Sequence, residues 1–342
     1  MRIFLLPVVL AAPLAAADFR VGPVAAPPGA ARSAMVPIPK GVDAGTEIPV
    51  TVVHGARPGP VLGLIAGNHG YEYTPILALQ KLRPMLDPAK IAGTVILVHI
   101  ANLPSFAGRT IYFSPVDQKN LNRVYPGDPN GTVSQRIAHF LTREVIEKST
   151  HVLDLHCGDG NESLRPYSYQ AVTGDAKMDA QIADLARAFG LDHIVIDRDR
   201  PKDPARSLYA STTAITRGKP AITAESGYLG STDAASIDAI VQGVLSCMRF
   251  LKMIEGAPLK VANPVVLDPV QVIESPATGI FYPLVQRDQR VRAGAKLAEI
   301  TDYLGNRIGE VKAPFDGLVL YIIGTPPITK GQPAAFIGAI RN

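Results

Sequence analysis

The run "PVLGLIAGNHGYEY", residues 60–73, decides how the rest of the chain is read. Residues 60–66 are an unbroken apolar stretch of the length expected for a strand buried on both faces. The stretch breaks at Gly67, and His69 and Glu72 follow three residues apart with Gly70 between them. By itself this is either a polar turn at a sheet edge or half of a metal site.

Outward from it, apolar runs of strand length alternate with helical patterns. "TVILVHIAN" (94–102), "HVLDLH" (151–156), "HIVID" (193–197) and "PAITAE" (220–225) read as strands. Residues 74–86 read as a helix with Thr74 as N-cap and Pro75 at its first position. Further helices are expected over 133–149, 176–190 (ending at Gly190), 207–218 and 232–256, the last capped by Thr232 and ended by Gly256. Residues 20–58 look like an antiparallel hairpin leading into the core. The expected fold class is therefore α/β, a mixed and largely parallel sheet sandwiched by helices. An irregular stretch, 103–131, contains "NLNRVYPGDPNG", and a loop of that length inside a compact domain points to function.

The pattern changes after "GAPLKVANP". From about residue 262 short β-like runs sit between Gly and Pro turns, which implies a small all-β C-terminal domain. "SPATGIFYP" and "APFDGLVLY" form a weak internal repeat there, each a Pro-x-x-Gly turn feeding a strand. The expected division is residues 1–17, 18–258 and 259–342. The first piece, "MRIFLLPVVLAAPLAAA", has an early arginine, an apolar run and then small residues, the layout of a signal peptide. It is too short and too rich in Ala and Pro for a stable membrane span, so an exported protein, periplasmic or secreted, is expected.

Composition narrows the function classes. The 342 residues are 47% hydrophobic and 19% charged, which describes a globular chain with a large core and excludes a disordered one. The net charge of +4 comes with no dense Lys/Arg run, so nucleic acid is not the expected partner, whereas a small anionic substrate fits. The two cysteines, Cys157 and Cys247, could pair in an oxidising compartment, but two buried free thiols are the plainer and preferred reading. Oligomeric state is left open, a homo-oligomer included.

In open α/β sheets ligands sit beyond the carboxyl ends of the strands. Three strands here end in groups suited to metal chemistry: His69 and Glu72 after the first, His156 at the end of 151–156, and Glu225 at the end of 220–225. Two imidazoles and a carboxylate with one open position are the usual hydrolytic zinc set, and a further carboxylate can move the proton of the attacking water. Separately, each has a plainer reading: a solvated turn, a hydrogen-bonded core histidine, a paired carboxylate. The convergence of three strand ends favours the site. The histidines at 54, 99, 139, 151 and 193 have no such setting, although those at 54 and 151 also stand at strand ends. Asn122 and Arg123 in "KNLNRVYPG" could clamp a substrate carboxylate, and Arg109 could stabilise charge on a carbonyl oxygen. The plainer alternatives are a loop arginine tied to backbone carbonyls and an ordinary surface arginine. No G-x-S-x-G elbow, P-loop or C-x-x-C pair occurs.

"GNHGYE", "NLNRVYPG", "VLDLHCG" and "AITAESG", in that order, resemble the succinylglutamate desuccinylase/aspartoacylase family, a branch of the zinc-carboxypeptidase-like enzymes. The resemblance spans roughly residues 45–340, including the β-rich tail, which such proteins carry near the active-site mouth. It implies one zinc per chain on His69, Glu72 and His156, with Glu225 as general base and later proton donor. It also implies that Asn122 and Arg123 bind the substrate carboxylate and that Arg109 assists at the carbonyl oxygen. The implied reaction is removal of an acyl group from an N-acyl amino acid or similar small carboxylate, and a carboxypeptidase acting on peptides or cell-wall fragments is the alternative. Two departures are visible: Asn120 stands where many relatives have Asp, and Cys157 where a small hydroxyl residue is common. An aromatic contact from the C-terminal domain is expected, with Tyr282 and Tyr303 as its candidates.

Overall fold

The computed structural model describes residues 17–341. The expected signal segment, residues 1–17, lies outside the described residues apart from Ala17. A short ribbon of β1 (Phe19–Val21) and β2 (Val24–Ala26) precedes the hairpin β3 (Ala30–Ile38) and β4 (Thr46–His54). Then come β5 (Arg57–Ala66), α1 (Tyr73–Leu82), β6 (Ala92–Val98), α2 (Leu103–Gly108), α3 (Val133–Phe140) and β7 (His151–His156). The next part adds β8 (Glu162–Leu164), β9 (Tyr167–Ala171), α4 (Ala176–Phe189), β10 (His193–Asp197), α5 (Ala210–Ile215), β11 (Ala221–Glu225) and α6 (Ala234–Phe250). After α6 the regular elements among the described residues are strands: β12 (Val265–Glu274), β13 (Gly279–Pro283), β14 (Arg290–Val291), β15 (Lys296–Thr301), β16 (Arg307–Lys312), β17 (Gly317–Ile323), β18 (Pro327–Ile328) and β19 (Pro333–Ile340).

Thirteen strands make one mixed sheet in the order β14-β17-β19-β12-β10-β9-β11-β7-β5-β6-β4-β3, with β8 paired to β17. At its centre β11, β7, β5 and β6 run parallel, with Ala66 opposite Leu155 and Glu225 opposite His156. Their unbroken apolar sequences follow from cover on both faces. Side chains alternate across the sheet, so Leu62 and Leu64 pack with Ile76, Leu79, Leu185 and Val244 of α1, α4 and α6. Ile65 and Val152 face the other layer, with Ile137 of α3 and Ala210 and Ala214 of α5. The expected fold class, helices on both faces of a mixed sheet plus a C-terminal all-β region, is what the chain adopts.

Several local expectations shift. Helix α1 begins at Tyr73 with Glu72 in the N-cap position, and the Thr74 hydroxyl donates to the Ser231 carbonyl at 3.0 Å instead of capping. Asp233, not Thr232, caps α6, its carboxylate accepting from the Ser236 N–H at 2.9 Å. That helix stops at Phe250, six residues short of Gly256. The helix expected over 133–149 is α3 followed by a π-helical turn over Leu141–Ile146. Strands β8 and β9 were not anticipated, because "ESL" and "YSYQA" are short and half polar. The two Pro-x-x-Gly turns do feed strands, with Gly279 opening β13 and Gly317 opening β17. The all-β region is woven into the main sheet, since β12 pairs parallel with β10 and β8 pairs with β17. Both cysteines are buried and free.

Candidate metal and active site

The site lies at the carboxyl ends of β5, β7 and β11. Gly67 reverses the chain after β5 with φ +72°, a left-handed conformation that favours glycine. A Cβ on Gly70 would come within 2.1 Å of the Ser105 and Phe106 backbone, so glycine there lets α2 press against the turn. The turn brings His69 Nδ1 to 2.6 Å from Glu72 Oε1, and His156 Nδ1 lies 2.7 Å from Glu72 Oε2. All three side chains are buried, and one ligand atom from each can be chosen so that the set lies within 4.8 Å.

The outer ring nitrogens are held from behind. His69 Nε2 is 3.0 Å from Asn120 Oδ1, and that oxygen also accepts the Asn122 N–H at 2.9 Å. The second bond identifies the atom facing His69 as the amide oxygen, so Nε2 carries a hydrogen, and a neutral His69 ring would have its lone pair on Nδ1, toward the cluster. His156 Nε2 donates to Asp154 Oδ1 at 3.0 Å. Asp154 is fully buried and also accepts from Asn68 Nδ2 at 2.8 Å and the Ser211 N–H at 3.4 Å. Tyr125 completes the chain by donating to Asn68 Oδ1 at 2.8 Å. Such partners fix tautomer and ring orientation at metal-binding histidines.

Charges are concentrated at this site. Burial pushes the Glu72 carboxyl upward, but the His156 and His69 imidazoles overcome this and hold it at about 2. Burial pushes both imidazoles down, and the Glu72 charge, joined by Asp154 at His156, lifts both above the usual value. Glu225 is driven well above the ordinary carboxylate range by burial, reinforced by Glu72, Glu162 and Asp154 and opposed by His156. Its Oε2 is buried with no hydrogen-bond partner among the described residues. Asp159, beside the cluster, rises to about 7 through burial and the Glu72 charge.

His69, Glu72, His156, Glu162 and Glu225 line a cavity of about 780 Å³. Arg123 and Arg200 lie on one part of its wall, with their guanidinium carbons 4.6 and 4.5 Å from the Tyr209 ring centroid. Arg200 is also paired with Asp197. Elsewhere on the wall, the Tyr112 hydroxyl donates to Glu162 Oε1 at 2.7 Å, and the Tyr112 ring stands edge-on to His69 at 5.9 Å. Tyr112 has φ +57°, and its N–H is held by Asp159 Oδ2 at 3.0 Å. The C-terminal strands supply Val272, Tyr321 and the loop Thr329–Pro333.

His69, Glu72, His156, Glu225, Asn122 and Arg123 are brought together as the sequence suggests. The Asn122 amide is anchored through Oδ1, which accepts the Ala210 N–H at 2.9 Å, and its Nδ2 packs beside the His156 ring. Arg109 is not brought in. It is exposed at the C-cap of α2 and does not line the cavity. Tyr282 and Tyr303 are 48% and 78% exposed and also stand away from the cavity, where Tyr321 is the C-terminal aromatic residue. The other five histidines are outside it too.

Sequence reasoning missed Asp154, Tyr112, Glu162 and Arg200. Asp154 had a signal: it is a charge inside the apolar strand "VLDLH", two residues before His156 and so on the same face. Arg200 follows the carboxyl end of β10, where the rule that located the ligands also applies. Tyr112 and Glu162 carried no comparable pattern.

Residues 58–251 match the succinylglutamate desuccinylase/aspartoacylase catalytic domain. The chain is 32% identical over 301 residues to the N-alpha-acetyl-L-2,4-diaminobutyric acid deacetylase of Halomonas elongata, covering 86% of each protein. Its fold matches the crystal structure of a succinylglutamate desuccinylase/aspartoacylase from Rhodobacter sphaeroides with a TM-score of 0.81 and 26% identity, covering 91% of this chain and 96% of that one. The product-bound ectoine utilization protein EutE (DoeB) from Ruegeria pomeroyi matches with a TM-score of 0.80 and 25% identity, covering 90% and 95%. With its four motifs gathered at one set of strand ends, the chain belongs to the succinylglutamate desuccinylase/aspartoacylase family of amide-bond hydrolases.

Proposed function

We propose that this protein is a zinc-dependent deacylase of small N-acyl amino acids, with one zinc per chain held by His69, Glu72 and His156. The observation that carries the reading is the convergence of two imidazole Nδ1 atoms on one buried carboxylate while both Nε2 atoms are held from behind. Two neutral nitrogens and one carboxylate are a donor set that suits zinc, and a divalent cation among them would balance Glu72 without protonated imidazoles. Zinc so held supplies Lewis acidity and a water of lowered pKa.

The chain's own groups then divide the work. Arg123 on the cavity wall holds the substrate carboxylate by a two-pronged hydrogen bond and orients the acyl group toward the three ligands. Asn122 holds the start of α5 beside that clamp by accepting the Ala210 N–H. Glu225 takes a proton from the attacking water as its oxygen bonds to the amide carbon. It delivers that proton to the departing nitrogen as the C–N bond breaks, leaving an amine and a carboxylic acid, which gives up its own proton to solvent. Its raised affinity for a proton suits the first half of that transfer. Arg109, exposed and off the cavity wall, has no part in this reading. The relatives' names support deacylation over peptide cleavage, and the leader-like N-terminus makes an exported enzyme part of the proposal.

The test is Glu225→Gln. The variant is expected to retain about one zinc per chain and to lose roughly 10²–10⁴-fold in turnover of N-acetyl amino acids, the usual share of a general base. Zinc retention with undiminished turnover refutes the mechanism. Dipeptides assayed beside the N-acetyl amino acids separate the carboxypeptidase alternative.

A further inference from the structure

The cavity carries an acid that the proposed reaction does not use. Glu162 lines the wall at the start of β8. Its Oε1 accepts from the Tyr112 hydroxyl at 2.7 Å and its Oε2 from the Asp159 N–H at 3.3 Å, so two donors fix the carboxylate. Among the described residues no Lys, Arg or His pairs with it, and its surroundings add further negative charge from Glu72. By contrast, the cavity's guanidiniums gather at Tyr209, and Arg200 has its own partner in Asp197. The Tyr112 hydroxyl holds the carboxylate and Tyr321 lines the same cavity, so aromatic side chains of the kind an ammonium group favours stand on its wall.

We propose that Glu162 is a specificity-determining residue that receives a primary ammonium on the substrate side chain, so that the preferred substrates are N-acyl derivatives of short diamino acids. The proposal rests on the deacylase reading above and names its substrate class. Arg123 takes the carboxylate, the three-ligand cluster faces the acyl group, and Glu162 pairs with the second amine. A partly buried carboxylate without a cationic partner is held at some cost, and a substrate ammonium that fills the cavity removes that cost only when it is bound. A neutral side chain of equal length fills the same space without relieving it.

The test compares Nα-acetyl-L-2,4-diaminobutyrate with its uncharged isostere N-acetyl-L-norvaline, in the wild type and in Glu162→Gln. Glutamine keeps the size of the side chain and an oxygen for the Tyr112 hydroxyl. The wild type should favour the cationic substrate in kcat/KM. The variant should lower the ratio of the two by roughly 10–100-fold, the range for a hydrogen bond to a charged group. A ratio that does not change means that Glu162 only positions Tyr112, and overturns the proposal. Calorimetric binding of the two free amino acids to zinc-loaded wild type and variant reads the same discrimination without turnover. If neither N-acetyl compound is hydrolysed, the deacylase reading fails, while tighter binding of diaminobutyrate that is lost in Glu162→Gln still upholds the receptor role. Equal binding by both proteins overturns it.

Discussion

The two proposed ligand histidines are backed by chemically different groups, an amide at His69 and a carboxylate at His156, and Asn120→Asp tests what that difference does. Asn120 Oδ1 holds the His69 Nε2–H at 3.0 Å and the Asn122 N–H at 2.9 Å. An aspartate of the same shape keeps both bonds, and its charge is met by two donors. Its other oxygen replaces an Nδ2 that makes no hydrogen bond among the described residues, so nothing else is given up. Hydrogen bonds to an ionised acceptor are about twice as strong as neutral ones, and a carboxylate behind an imidazole makes the metal-facing nitrogen a better donor. Outer partners of this kind change metal affinity about 10–100-fold, so the expected gain is roughly tenfold, or about 1.4 kcal/mol. The same charge raises the imidazole's affinity for protons, so competition with a chromophoric chelator belongs at about pH 8, well above the usual histidine pKa near 6.5. Tighter zinc binding by Asn120→Asp is expected. Equal or weaker binding in a variant that melts like the wild type would refute the view that Asn120 acts through His69.

The other predictions concern substrate binding and stability. Arg123→Ala should raise KM for carboxylate substrates by about tenfold or more and leave kcat nearly unchanged in steady-state assays, whereas a loss confined to kcat would contradict the clamp. Burial, helped by the Arg83 charge, lowers the pKa of His99 to about 4, so the unfolded chain takes up its proton first as pH falls. Stability is therefore full above the unfolded value and is lost downward from about pH 6.5 toward pH 4, by about 2 kcal/mol at pH 5. His99→Gln should flatten that slope in denaturant titrations at pH 7 and pH 5, and equal slopes in the two proteins would count against the assignment.

The centre of the sheet was legible because burial on both faces leaves continuous apolar runs, and those runs end at His156 and Glu225. The ligands were legible for a related reason, since a charge at the end of an apolar strand must be paired or working. What stayed hidden was set by contacts between distant segments. Glu162 belongs to a three-residue strand whose pairing to Tyr321, Ile322 and Ile323 no local pattern announces. Tyr321 reads as one more inward residue of "GLVLYII", and only the topology of the C-terminal strands turns it toward the cavity. Arg109 shows the opposite failure. Its spacing in sequence matched the role, yet the left-handed turn ending α2 leaves it in solvent.

The joining of the C-terminal strands to the main sheet has a consequence for synthesis. Every residue of the three-ligand cluster and Glu225 has emerged once the chain has been made as far as β11. The cavity wall, however, needs Tyr321 and the loop Thr329–Pro333, and β8 finds its partner only when β17 exists. A growing chain thus completes the candidate ligands well before the wall that encloses a substrate. The two are separated by the making of about 100 residues, at roughly 5–20 residues per second. During that interval the candidate ligands exist without the chamber that surrounds them in the finished fold.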